Sequence, residues 1–141
     1  MTNKQFTSKR RVDFPMVDLA GIVYYPQYWD IAHRFFEELW EDIFGLHYAE
    51  ILSNYRIGFP VVHCDTSFIS PFKYGDNIIC NISIQKIGQS SIQWKYEYRN
   101  DDNIVCWTSN QVTVCVDMNN ITQKVPIPDW ISQKFSQYLI E

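Results

Sequence analysis

Five glycines and six prolines in 141 residues leave no room for a flexible Gly/Ser linker, a collagen-like repeat or a low-complexity tract. Cysteine is sparse and unpaired in pattern. Cys64, Cys80, Cys106 and Cys115 sit singly on apolar segments, with no CxxC pair and no Cys/His spacing of a zinc site. They read as buried thiols in a reducing cytosol, without a His/Asn partner signature for a nucleophile, and predict neither metal nor cofactor. No stretch is apolar enough for a membrane span, and the basic start from Met1 to Arg11 is followed by no signal-peptide core. Excess positive charge is also missing. A net charge of -4 gives no reason to expect nucleic acid or an anionic membrane as partner. A soluble, cytoplasmic protein is expected.

What is present is apolar and aromatic side chain. With 46% hydrophobic and 16% aromatic residues, a compact fold is favoured over disorder. The length predicts one domain over residues 1–141, able to bury its core without staples. From Gln27 to Phe44 the spacing is helical. Tyr28, Ile31, Phe35, Leu39 and Ile43 fall on one stripe, and Trp29, Ala32, Phe36 and Trp40 widen it. Such a helix should be buried on most sides, with Pro26 at its start and Gly45 as its C-cap. Leu46 to Asn54 reads as a short irregular helix. Lys9 to Phe14 carries a strand signal in Val12 and Phe14.

Beyond Asn54 the period changes to two. Ile78, Cys80, Ile82 and Ile84 alternate with more polar neighbours, as do Ile92, Trp94, Tyr96 and Tyr98. In the last long strand Val112, Val114, Val116 and Met118 are taken as the apolar face against Thr113, Cys115 and Asp117. Turns are expected at Gly75-Asp76, Gly88-Gln89 and Asn100 to Asn103. A helix followed by consecutive strands with short links predicts an antiparallel sheet in an α+β fold. Pro126 to Ile140 should form a C-terminal amphipathic helix resting on Trp130, Phe135 and Leu139.

The most informative stretch is Asp18-Leu19-Ala20-Gly21-Ile22-Val23-Tyr24-Tyr25-Pro26-Gln27-Tyr28. It sets a carboxylate at a glycine turn just ahead of a proline-opened helix. Free N–H groups at a helix start stabilise negative charge developing on a substrate oxygen. Taken alone, the pattern also fits an Asx turn whose carboxylate bonds its own backbone.

This run closely resembles the active-site motif of the 4-hydroxybenzoyl-CoA thioesterase family, acyl-CoA thioesterases of the hot-dog fold. Two further segments are similar: Gly58 to Phe68, like the family's first long strand, and Lys86 to Ile92, like its turn between two long strands. The matches extend from about Arg11 to Met118. The resemblance implies a long central helix wrapped by a curved antiparallel sheet. It implies Asp18 as nucleophile or general base, with the backbone N–H of Tyr24 or Tyr25 as oxyanion donor. Gly21, Tyr28 and His63 are expected beside the acyl group. Lys86, Gln89 and Ser90 are candidates for the CoA phosphates, or simply a polar turn. His33 reads as solvated, and His33, His47 and His63 form no triad. Where the family has a glycine or extra acid ahead of the catalytic residue, this chain has Pro15 and Met16, which leaves the loop's support open. Pro26 points to the 4-hydroxybenzoyl branch.

The implied partner is an acyl-CoA thioester, with an aromatic or short-to-medium acyl group. A homodimer or homotetramer is expected, neighbouring subunits completing each site and covering strand edges. A thioesterase acting on acyl-carrier protein and a silent acyl-thioester-binding module stand as alternatives.

Overall fold

The structure is a computed structural model and describes residues 4–140. Strand β1 (Phe6–Arg11) leads through a 3-10 turn (Phe14–Met16) to helix α1 (Gln27–Phe44) and short helix α2 (Tyr48–Ser53). Strands β2 (Ile57–Gly58), β3 (Val61–Phe68), β4 (Asn77–Ile87), β5 (Ser91–Arg99), β6 (Val105–Val114), β7 (Val116–Asp117) and β8 (Asn120–Lys124) follow. Helix α3 (Asp129–Phe135) and a 3-10 turn (Ser136–Tyr138) close the chain. The main sheet has the order β1-β4-β5-β6-β3, antiparallel throughout, and β2-β7-β8 form a small second sheet. With α1 laid across the main sheet, this is the α+β hot-dog arrangement that the sequence predicts.

Helix α1 carries the core because its apolar stripe is wide enough to be covered on most sides. Tyr28, Ile31, Ala32, Phe35, Phe36, Leu39 and Trp40 are all buried. Each large side chain so buried contributes about 1.5–3 kcal/mol. Gly45 ends the helix in the left-handed region (φ 68°), its N–H donating to the Glu41 carbonyl. Beneath the helix lie Ile78, Cys80, Ile82 and Ile84 of β4 and Ile92, Trp94, Tyr96 and Tyr98 of β5, all buried. No helix among the described residues is long and apolar enough to cross a membrane.

Four expectations are corrected. Cys64 is exposed on β3, so three and not four of the thiols are buried. The first strand is Phe6–Arg11, not Lys9–Phe14; Val12 is buried just past its end, and Phe14 opens the exposed 3-10 turn. Helix α3 is shorter than Pro126–Ile140 and rests on the fully buried Ile131 and Phe135, while Trp130 stays partly exposed. Most consequential is the last long strand. Its helix-facing residues are Trp107, Ser109, Gln111 and Thr113, and Val112 faces the other way. The strand breaks after Val114, and Val116 joins the small sheet. That break shifts Val116 and Met118 out of the alternation in which they were placed.

Candidate active site

Residues 16–24 fold into a tight hairpin with Asp18 at its tip. The Tyr24 N–H donates to the Met16 carbonyl (2.9 Å), Val17 bridges Val23, and the Asp18 N–H donates to the Ile22 carbonyl (3.0 Å). Asp18 to Gly21 make the turn: the Gly21 N–H donates to the Asp18 carbonyl (3.0 Å), and Gly21 has φ 77°. A side chain there would be strained, so glycine is required by conformation and not by contact. The Ala20 N–H donates to Asp18 Oδ1 at 2.9 Å. Thus the Asx turn does form, and it leaves the second carboxylate oxygen uncommitted on an exposed tip.

The hairpin is tied to the body through the segment after β3. The Val23 N–H donates to the Phe72 carbonyl (2.9 Å), the Tyr74 N–H to the Gly21 carbonyl (3.3 Å), and Ile22 bridges Lys73. Pro15 and Met16 supply the support that the sequence left open. They form the 3-10 turn closed by the Met16 N–H to the Asp13 carbonyl (3.0 Å), and the Met16 carbonyl then holds Tyr24.

At the helix start the donors are nearly all taken. Gln27 donates to Tyr24, Tyr28 to Tyr25 and Trp29 to Pro26. With Tyr24 bonded to Met16 and Pro26 lacking an N–H, the Tyr25 amide is the one without a partner among the described residues. Tyr24 and Tyr25 side chains are exposed and meet edge-on at 5.4 Å. Around Asp18 the hollow is apolar, formed by Phe14, Val17, Leu19, Gly21 and Tyr74.

A separate cavity of about 240 Å³ opens between α1 and the β3–β6 edge of the sheet, lined by Trp29, His33, Phe36, Val61, Gln111 and Thr113 among others. Sequence reasoning missed it. His33 is exposed, as the sequence implies, yet borders the cavity; Thr113 was set on the face opposite the apolar one, and Gln111 carried no assignment. A two-residue count started at Trp107 and not at Val112 would have put them on the inner face.

Other predicted residues are placed elsewhere. Tyr28 is a core residue, stacked on Tyr98 and Trp107 and meeting Phe68 edge-on, with no surface for substrate. His63 faces a shallow hollow on the outer side of the sheet with Asp65, Gln93 and Asn110. Lys86 and Gln89 are exposed at the Gly88 turn, and the Gln89 and Ser90 carbonyls accept from the Ile127 and Cys115 N–H groups. That turn lies at the far end of β4 from the Asp18 hairpin, roughly 33 Å along an eleven-residue strand. One chain therefore does not bring Asp18 together with Lys86, Gln89 and Ser90. Burial pushes the Cys80, Cys106 and Cys115 thiols up, Cys115 to about 11, so these three stay protonated at neutral pH. Among the described residues no group of three or more His, Cys, Asp or Glu side chains could hold a metal ion.

The hot-dog scaffold, with a carboxylate on the hairpin that leads into α1, is that of a thioester hydrolase, and the relatives bear this out. The profile of the thioesterase-like superfamily matches residues 12–135, and the chain belongs to that family. It is 30% identical over 128 residues to the 1,4-dihydroxy-2-naphthoyl-CoA hydrolase of Nostoc punctiforme, covering 91% of this chain and 84% of that one. Among solved structures it superposes on a 1,4-dihydroxy-2-naphthoyl-CoA thioesterase from Synechocystis with a TM-score of 0.83 at 24% identity, covering 94% and 96% of the two chains. A Staphylococcus aureus protein solved in complex with CoA gives a TM-score of 0.87 at 15% identity, covering 98% and 85%. The last two likenesses are of fold.

Proposed function

We propose that this enzyme hydrolyses aromatic acyl-CoA thioesters, of the hydroxylated kind that its Nostoc relative's name carries, to the free acid and CoA. The observation that supports this best is the Asp18 hairpin, which presents an uncommitted carboxylate oxygen near a helix start with one free amide, Tyr25. The thioester carbonyl oxygen accepts the Tyr25 N–H, and the positive end of α1 stabilises the charge that builds there. Asp18 has two routes. As nucleophile it bonds to the carbonyl carbon, the C–S bond breaks and CoA leaves as thiolate. Water then opens the mixed anhydride. As general base it takes a proton from water, whose oxygen attacks the carbon. The expelled thiolate recovers that proton. Single turnover in ¹⁸O-water tests the first route, since label in Asp18 arises only when water opens the anhydride at the aspartyl carbonyl.

The active unit is a dimer paired along β3. This strand is the longer of the two edges of the main sheet, eight residues against six in β1, and bears exposed Val61, Val62 and Phe68. A free edge of that length is a template for another strand. The Asp18 hairpin and the start of α1 sit at the Phe68 end of β3, whereas Val61 and Thr113 of the cavity and the Gly88 turn sit at the other. A two-fold axis normal to the sheet makes the paired strands antiparallel and swaps these ends. Each Asp18 then meets the partner's cavity and Gly88 turn, with room for CoA between them. The cytoplasm, where acyl-CoA is handled, remains the expected compartment.

Thiol release from a panel of aryl- and alkyl-CoAs tests the reading. Wild type should turn over aryl-CoAs, and Asp18→Asn should lower kcat by about 10²–10⁴. Turnover that survives the substitution would move the chemistry off Asp18.

A further inference from the structure

The helix-facing positions of the sheet are apolar on β4 and β5, but on β6 three successive ones are polar. Ser109, Gln111 and Thr113 are 1%, 6% and 3% exposed, each more than nine-tenths buried. Polar groups buried without full pairing are costly, so a run of three calls for an accounting. Ser109 Oγ shares a hydrogen bond with Thr66 Oγ1 at 2.9 Å and accepts the Gln111 Nε2–H at 3.2 Å. Thr113 Oγ1 accepts the Trp94 indole N–H at 2.9 Å. Two capacities are left over on this strand, beside the unpartnered indole N–H of Trp29, which also lines the cavity. The Gln111 carbonyl oxygen has no donor, and the Thr113 hydroxyl hydrogen no acceptor, among the described residues. Both residues line the cavity under α1.

We infer that Gln111 and Thr113 read a hydroxyl on the ring of the acyl group, and so set the enzyme's preference for hydroxylated aryl thioesters. The inference rests on the thioesterase reading above. One spare acceptor and one spare donor, two residues apart on one face of a strand, match a group that both donates and accepts. A phenol hydroxyl donates to Gln111 Oε1 and accepts from Thr113 Oγ1–H. The other walls are aromatic, Trp29, Phe36, Phe59 and Tyr96, and suit a flat ring. The volume, about 240 Å³, is below the ~300–1,000 Å³ of sites that take drug-sized ligands. It therefore accommodates the acyl group and leaves the CoA outside.

The test compares kcat/KM for 1,4-dihydroxy-2-naphthoyl-CoA and 2-naphthoyl-CoA in wild type, Gln111→Leu and Thr113→Val. A site with unpaired buried groups rejects a substrate that cannot pair them, so wild type should favour the hydroxylated thioester by about 10²-fold or more. Gln111→Leu should bring the ratio to within a few-fold, by slowing the hydroxylated substrate and sparing the other. Thr113→Val also strips Trp94 of its acceptor, so its fold is checked by circular dichroism. Gln111→Leu carries the test if that variant fails. An even wild-type ratio, or a Gln111→Leu variant that slows both substrates alike, overturns the inference while leaving the thioesterase standing. If wild type hydrolyses neither, the thioesterase reading falls. The pocket is then judged by titrating 1,4-dihydroxy-2-naphthoate and 2-naphthoate against tryptophan fluorescence. Tighter binding of the hydroxylated acid, lost in Gln111→Leu, upholds it, and equal binding overturns it.

Discussion

Asp18 shows how one hydrogen bond serves both the turn and the proposed chemistry. Its Oδ1 accepts the Ala20 N–H, which fixes the carboxylate's rotamer, while the other oxygen is left to react. The Asx-turn and catalytic readings of the motif are thus one geometry, and the sequence pattern could not separate them because they do not differ locally. Buried thiols pose the opposite case, of groups kept from reacting. Burial holds Cys80, Cys106 and Cys115 protonated in the folded chain, Cys115 up to about 11. An unfolded thiol ionises near its ordinary value of about 8.5. A raised folded-state pKa therefore leaves stability intact below that pH and removes it as the pH climbs toward 11. Urea midpoints taken at pH 7, 9 and 10.5 should fall over the last two steps, and fall less in Cys115→Ala. A midpoint flat across this window in wild type would show that burial is not felt by these thiols.

At the scale of elements, legibility followed the length and purity of the period. Helix α1 repeats its 3.6-residue pattern over 18 residues, and its limits, stripe and Gly45 cap all stand where the sequence puts them. β5 keeps strict alternation and β4 keeps it from Asn77 to Ile82, so their inner faces were readable. β6 was not, because four consecutive buried residues, Val114, Cys115, Val116 and the preceding Thr113, straddle the passage from one sheet to another. A run buried on both sides has no parity to read. The error had a second origin as well, since the true inner face there is polar where a core would be apolar. The legible part of the core can be tested on Phe35, fully buried under α1 and packed edge-on against Tyr98 at 5.8 Å. Phe35→Ala removes a ring from a site that cannot collapse around the void. It should cost about 3–5 kcal/mol, read as a lower urea midpoint at unchanged m-value. A loss below about 1 kcal/mol would mean that the helix does not anchor the core as described.

The whole molecule sets the last constraint, because the Asp18 hairpin lies at the Phe68 end of β3 and the Gly88 turn at the other. The Asp18 hairpin and the cavity each fold locally, and nothing in a single sequence states that they belong to one reaction. The proposed pairing along β3 would bring the hairpin of one subunit to the cavity of the other, and it makes a prediction that no single-chain site shares. Asp18→Asn removes the reacting group, and His33→Trp fills the cavity from an exposed helix position without disturbing the core. Each homodimer should be inactive. A heterodimer carrying one of each, purified through two different tags, places both lesions in one site and leaves the other intact. It should regain about half of the wild-type activity per dimer. If Asp18 and the cavity served each other within one chain, every site of that heterodimer would hold a lesion and no activity would return. Restored turnover with the KM of wild type would therefore locate the catalytic carboxylate and the acyl pocket on different subunits.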